Sequence, residues 1–394
     1  MRIGLITGEY PPDQGGVGDF TSRLAKSLVD LKHEVHVIAS ASRTPDREAQ
    51  DSRVPSQGDR VSVHRVIQGW RIGCWGSILD LADGLSLDIL NVQYQAAAYG
   101  MRPGINLVPR RRQCPVAVTF HDLKVPYLFP KAGPLRWWIV RALAQRADGV
   151  IVTNRVDELR LSDSQPRIAN LARIPIGSNI PSVLARDYDR DAERARWGVA
   201  PGDVLLGYFG FLNESKGGEE LINALALLAE QGLPAHLLKI GGRVGSSDPT
   251  NRAYADRVDG LIAALGLDER VHWTGYVPPE RVSASLRATD VCVLPYRDGV
   301  SFRRGTLLAC LAHGMAIVTT RPAAPIPGVE HERNMLLVEP RNPPALAQAV
   351  ARIADDPTLR ARLEEGAKSL ASEFTWEHIA RLTAAFFSGL TAGA

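Results

Sequence analysis

The chain has 394 residues, 45% of them hydrophobic and 23% charged, with a formal net charge of +3 from 46 Lys and Arg against 43 Asp and Glu. That length exceeds one ordinary hydrophobic core and predicts two domains, and the composition excludes a chain disordered throughout. The near balance of charge excludes the basic excess of a nucleic-acid binder, no run approaches the ~18 apolar residues of a spanning helix, and four scattered cysteines, Cys74, Cys114, Cys292 and Cys310, offer neither zinc spacing nor a disulfide framework.

The first strand is RIGLIT, and it begins without a charged and apolar leader, so reduced thiols and a cytoplasmic protein are expected. TGEYPPDQGGVGDF follows, a glycine-rich turn into a helix over Asp19 to Leu31. A nicotinamide fingerprint needs G-x-G-x-x-G in a tight turn and an acid at the end of the second strand. Here the third glycine is missing, two prolines lengthen the loop, and the second strand, HEVHVIAS, ends in Ala39-Ser40. What stands is a loop at Gly15 and Gly16 that lets backbone approach a ligand's phosphate or sugar, with plain turn chemistry as the alternative.

Residues Thr44 to Asp59 read as a flexible loop, being polar with two prolines and no period. VSVHRV, DILNVQ, VAVTF and GVIVT continue the strand series. Near-continuous β-branched runs suit strands covered on both faces of a parallel sheet. After VAVTF stand His121 and Asp122, and a histidine at the carboxyl end of a parallel strand aims a hydrogen-bonding ring at the ligand-binding edge. Arg110, Arg111 and Arg112, with the helical LRWWIVRALAQR, Leu135 to Arg146, make a basic, tryptophan-bearing segment. It is either a solvated helix face over buried tryptophans or a peripheral membrane patch.

A polar stretch, ARDYDRDAERARWGVAPGD, precedes a second series near Ala200: VLLGYFG, HLLKIGG, RVHWTG, DVCVLP and AIVTT, with helices in GEELINALALLAEQ and NRAYADRVDGLIAALG. Two doubly wound Rossmann-like α/β domains facing across a cleft are therefore expected: 1–180, then 181–372, with 373–394 as a final amphipathic helix packing back on the first. In such sheets ligands settle beyond the carboxyl ends of the strands. Two loops there attract notice. In GYFGFLNESKGGEELINAL, Lys216 stands just before a helix start, where a point charge and free amides suit a diphosphate; the spacing is not a Walker A motif. In LPYRDGVSFRRGTLLACLAHG, Ser301 is placed to cap, and Arg303 and Arg304 with the amides near Gly305 and Thr306 suit an anion, which would relieve two cations opposing the helix dipole.

EYPPDQGGVGDF, FHDL, RIPIGSNI, SKGGEELINAL, TGYVP, DVCVLPY, ACLAHGMAIVTT and NMLLVEP, in that order, resemble the family 4 (group 1) glycosyltransferases of the GT-B fold across nearly the whole chain. The resemblance implies an enzyme taking a sugar from a nucleotide-sugar donor, UDP- or GDP-linked, usually with retention and with no essential metal or other cofactor. It implies an N-terminal domain for a glycan, lipid-linked or small-molecule acceptor and a C-terminal domain for the nucleotide. Carried over, Gly16 lies near donor phosphate and acceptor, His121 contacts the transferring sugar and Lys216 neutralises the leaving diphosphate; Glu330, in PGVEHERN, is a further donor-contact candidate.

The chain departs from the family at three points. The arginine that the family pairs with its lysine, five residues earlier, is Phe211, and its two glutamates eight positions apart are Ser301 and Ala309. Each lost charged hydrogen bond costs about 1.5–3 kcal/mol. Arg303 and Arg304 are candidates to replace the missing arginine, and Asp298 to meet a sugar hydroxyl. The alternative is a GT-B protein that binds a sugar nucleotide or glycan without turnover, as a partner or regulator.

Overall fold

The computed structural model describes residues 1–13, 15–41, 61–110, 112–123, 128, 132–163, 168–242 and 249–393. The expected loop over Thr44 to Asp59, and Arg111 of the arginine cluster, lie outside the described residues. Two units emerge: Met1–Gly177 together with Thr375–Ala394, and Ser178–Phe374.

The first unit is built on a sheet of seven strands, β1 (Arg2–Ile6), β2 (Glu34–Ser40), β3 (Val61–Ile67), β4 (Ile89–Tyr94), β5 (Val116–Phe120), β6 (Gly149–Val152) and β7 (Leu171–Arg173), in the order β3-β2-β1-β4-β5-β6-β7. All neighbours pair in parallel. The strands β4, β5 and β6 are buried along their whole length, as the apolar runs require. The order reverses between β1 and β4, so the loops after these strands and β5 gather at the carboxyl edge.

The helix Gly16–Asp30 buries Val17, Phe20, Leu24 and Leu28. The last helix, Trp376–Thr391, packs against it and sinks Ile379, Phe387 and Leu390 into the cluster that holds Ile3, Leu5 and Leu24. Its N-cap is Thr375, whose hydroxyl accepts from the His378 amide at 3.3 Å. Fully burying a side chain such as Phe387 stabilises by about 1.5–3 kcal/mol. The Trp376 ring meets Phe20 edge-on, with centroids 5.1 Å apart.

The second unit carries six strands, β8 (Val204–Phe209), β9 (Ala235–Ile240), β10 (Val271–Trp273), β11 (Val291–Leu294), β12 (Ile317–Thr320) and β13 (Leu336–Val338), in the order β10-β9-β8-β11-β12-β13. These also pair in parallel throughout. The reversal falls between β8 and β11, which brings the loops after those two strands side by side. Asp290, just before β11, accepts from Arg190 at 2.6 Å, Arg194 at 2.8 Å, Arg360 at 3.1 Å and the Leu205 amide at 2.8 Å. It thereby joins the helix Arg190–Ala195, the start of β8 and the helix Pro357–Ala371. Among the described residues no helix is long and apolar enough to cross a membrane, and the four cysteines are free and buried.

The structure adds elements that the reading by pattern did not contain. The strands β7 and β13 are three residues each, too short to show a period. The helix Arg190–Ala195 forms inside the polar stretch before β8, capped by Asp189, which accepts from Asp191 and Ala192 amides.

Candidate active site

In the second unit the site begins where β8 ends. Gly210 has φ 116°, and a Cβ there would stand 2.8 Å from Thr306 Cγ2 and 3.2 Å from Lys216 Nζ. Only a glycine lets the lysine ammonium and the threonine close over the strand end. Lys216 closes a short 3₁₀ turn, Glu214–Lys216, and Gly217 follows with φ 69°. A Cβ on Gly217 would lie 2.0 Å from the Pro295 carbonyl oxygen, so the loops after β8 and β11 are in contact.

Arg297 holds those loops together. Its amide donates to the Ser215 carbonyl at 2.9 Å, and its guanidinium donates to Glu220 at 2.7 Å, Glu219 at 2.6 Å and Glu214 at 3.0 Å. Tyr296 shares a 2.8 Å hydrogen bond with the Thr306 hydroxyl. Arg304 lies with its guanidinium carbon 4.2 Å from the Tyr296 ring centroid and pairs with Asp298. Burial, and then the charge of Arg304, lower the Lys216 pKa to about 8. Among the described residues Lys216 has no ion pair or hydrogen bond from its ammonium.

The helix Gly305–Ala312 opens beside this group with Arg304 at its N-cap and no side-chain cap. Its first amides point outward with nothing to satisfy them within the helix. Ser301, expected as a cap, instead accepts from the Arg303 amide at 3.3 Å and closes a turn one step earlier, because the chain reaches the helix from Arg304. Asp298, a candidate for a sugar hydroxyl, is engaged with Arg304. Ala309 is fully buried in the helix. Phe211 stays 43% exposed, and its carbonyl accepts from the Tyr208 hydroxyl at 3.2 Å. Glu330 is an exposed carboxylate paired with Arg333 at 2.8 Å, and its amide donates to Asn334.

In the first unit, the glycine loop after β1 holds a carboxylate of its own. Glu9 Oε1 accepts from the Val17 amide at 3.1 Å and the Gly18 amide at 3.4 Å, the position an external anion would take at a helix start. Gly15 provides the room, since a Cβ there would lie 2.1 Å from the Glu9 carboxylate, whereas Gly16 has nothing within 4 Å. Burial pushes the Glu9 pKa up; the Gly18 and Val17 amides oppose this, and Asp19 and Asp13 add to it. Glu9 was legible only as part of EYPPDQGG; nothing in the sequence singled out its side chain.

His121 follows β5. Its amide donates to the Tyr94 carbonyl at 3.0 Å, its Nε2 lies 2.9 Å from Gln93 Oε1, and its ring meets the edge of Phe20 at 4.6 Å between centroids. Phe20 in turn carries Trp376, so the last helix supports the histidine through one ring. Burial pulls the His121 pKa down to about 4, leaving the imidazole neutral through the physiological range. Among the described residues no group of three or more His, Cys, Asp or Glu is arranged to hold a metal ion.

Residues 203–356 match the family model described as "Glycosyl transferases group 1", and residues 15–177 match the "Glycosyl transferase 4-like domain". A D-inositol 3-phosphate glycosyltransferase of Corynebacterium efficiens is 29% identical, with 99% of this chain and 96% of that protein aligned. A 2-deoxystreptamine glucosyltransferase of Streptomyces kanamyceticus is 22% identical over 93% of this chain and 96% of its own. Among solved structures, a glycosyltransferase from Rickettsia africae superposes with a TM-score of 0.74 at 16% identity, covering 100% of this chain and 99% of that one. Anabaena HepE, solved in complex with UDP, gives a TM-score of 0.74 at 20% identity over 99% and 100% of the two chains.

Proposed function

The chain belongs to the group 1 glycosyltransferases, enzymes of the two-domain GT-B fold, and from that premise we propose that it moves a sugar from a nucleotide-activated donor to an acceptor hydroxyl, with retention. The Ser178–Phe374 unit takes the nucleotide, UDP- or GDP-linked, and the other unit takes the acceptor. The observation that carries this is Lys216: a mostly buried ammonium with a lowered pKa, without an ion pair among the described residues, next to Arg304 and an uncapped helix start. Arg304 already shares its charge with Asp298, so the ammonium of Lys216, unpaired among the described residues, is what an anion stabilises, and a leaving nucleoside diphosphate brings the charge that it complements as the glycosidic bond breaks. Arg304 takes the part that Phe211 cannot play.

The UDP held by Anabaena HepE supports a uridine donor. The names of the two relatives support a polyol or aminocyclitol hydroxyl as acceptor, beside the glycan and lipid-linked classes. A peripheral contact with an anionic membrane is part of the same reading: the helix Leu135–Arg146 exposes Leu135 and Trp138, and Trp138 lines a hollow together with Arg110 and Arg146.

The test is a panel of UDP-, GDP- and ADP-sugars with mixed acceptors, read by mass spectrometry. Donor-specific release of nucleoside diphosphate is expected. No release with any donor, while nucleotides raise the melting temperature, would overturn transfer and leave a protein that binds sugar nucleotides without turnover.

A further inference from the structure

We infer that Gln93 is a positioning residue that fixes His121 as its Nε2–H tautomer, so that Nδ1 presents a lone pair to the substrate and recognises a hydroxyl, not a phosphate oxygen. The inference rests on the reading of His121 as a sugar contact.

The argument starts from a buried polar ladder beneath the ring. Asn91 on β4 and Thr119 on β5 are fully or nearly fully buried, as is Gln93. Asn91 Nδ2 donates to the Thr119 hydroxyl at 3.1 Å, and that hydroxyl lies 3.3 Å from Asn91 Oδ1. The Gln93 amide donates from Nε2 to the same Asn91 oxygen. Its nitrogen is thereby committed, and its oxygen faces His121 Nε2 at 2.9 Å. An amide oxygen accepts only, so Nε2 must carry the hydrogen. In a neutral imidazole the other nitrogen is then an acceptor.

Neutrality follows from the surroundings. Phe20 from the helix Gly16–Asp30 covers one edge of the ring, Gln93 on β4 takes Nε2, and the Thr153 hydroxyl after β6 donates to the His121 carbonyl at 3.2 Å. Among the described residues no charged side chain contributes to the shift of the ring, which burial lowers. A neutral ring with its hydrogen on the inner nitrogen has nothing to donate to a diphosphate, but accepts from a sugar hydroxyl. The buried amides of Asn91 and Gln93 satisfy each other and Thr119, and Gln93 spends its oxygen on the ring.

The tautomer is read directly by two-bond ¹H–¹⁵N correlation on ¹⁵N-histidine-labelled protein. The Nε2–H pattern, unchanged from pH 6 to 9, is expected; an Nδ1–H pattern, or titration of the ring in that interval, would overturn the inference. This readout needs no turnover, so an inactive protein with the expected tautomer would defeat the transferase reading and leave the tautomer assignment standing. Gln93→Glu keeps an acceptor at the same place but adds a charge that favours imidazolium. It should retain the Nε2–H signal and bring an acid limb into the kcat profile at least one pH unit above wild type, with the donor KM little changed. A folded Gln93→Glu protein with the wild-type pH profile would count against a role for Gln93 acting through the ring. Gln93→Leu, which offers no acceptor, should mix the two tautomers and lower kcat about tenfold; a single retained Nε2–H tautomer in that variant would show that something other than Gln93 sets it.

Discussion

Arg297 Nε donates to Glu220 at 2.7 Å across 77 residues of sequence, joining the loop after β11 to the first turn of the helix Gly218–Glu230. The two side chains are only 11% and 8% exposed. Removing one partner strands the other charge in a dry site, which costs about 3–5 kcal/mol. Arg297→Met is therefore expected to lower urea stability by about that amount and to weaken nucleotide binding at least tenfold, because the turn carrying Lys216 hangs on Arg297. Wild-type stability together with wild-type nucleotide affinity would show that the turn is held by other contacts.

Lys216→Met separates stability from activity. In the free protein the ammonium is mostly buried beside Arg304 and its pKa is lowered to about 8, so below that pH its charge works against folding. The variant should melt higher at pH 7 yet turn over about 10²-fold or more slowly, the scale of a lost transition-state donor. Turnover within a few-fold of wild type would remove Lys216 from the mechanism.

The same shift predicts a pH limb for binding. A bound diphosphate favours the charged lysine and raises its pKa, so binding takes up a proton above about pH 8. Affinity for a nucleoside diphosphate should be flat below that pH and fall up to tenfold per unit above it. Arg304→Ala removes one cause of the lowering, so its limb should move to higher pH while overall affinity drops. Calorimetric titration in two buffers of different ionisation enthalpy checks both; proton uptake that is absent at pH 9 would refute the linkage.

Asp290 governs acid stability in the second unit. Burial raises its pKa, but the Leu205 amide and the Arg194 and Arg190 charges outweigh it and hold the carboxyl below its usual value. A carboxylate lowered on folding adds stability above about pH 4, its unfolded value, and loses it as pH falls through the folded one. Asp290→Asn leaves three arginines facing a neutral amide and should cost about 3–5 kcal/mol at neutral pH. Its loss of stability between pH 4 and 2 should be shallower than wild type; an identical acid limb would assign that limb to other groups.

For the membrane contact, vesicle sedimentation with anionic lipid should show binding at low salt that weakens as salt rises. Trp138 is 67% exposed on its helix. Trp138→Ala should reduce binding, and Arg146→Ala should reduce it by roughly fivefold, about 1 kcal/mol for one basic residue. No binding to anionic vesicles at low salt would retire the contact.

The fold was legible because parallel strands covered on both faces are written as apolar runs: Ile89–Tyr94 and Val116–Phe120 are buried at every position. The helix Arg190–Ala195 was not, since its short, mostly charged sequence shows no apolar stripe and its place is set by ion pairs to Asp290, 100 and 96 residues away. The site divides the same way. Lys216, His121 and the two arginines could be named because each stands just past a strand or just before a helix. Glu9, Gln93 and Arg297 could not, because their partners are side chains and amides that no local pattern specifies.

The sequence by itself determined two doubly wound α/β units and the candidate loops after their strands, which follow from local periodicity and residue type, while the resemblance to the family located its departures at Ser301 and Ala309. The tertiary structure decided which charges meet. It set the charge of Arg304 beside Lys216, gave the helix amides after Gly16 to Glu9, and brought Gln93 to the His121 ring. Those outcomes depend on distances between residues far apart in the chain, which chain order does not encode and packing does.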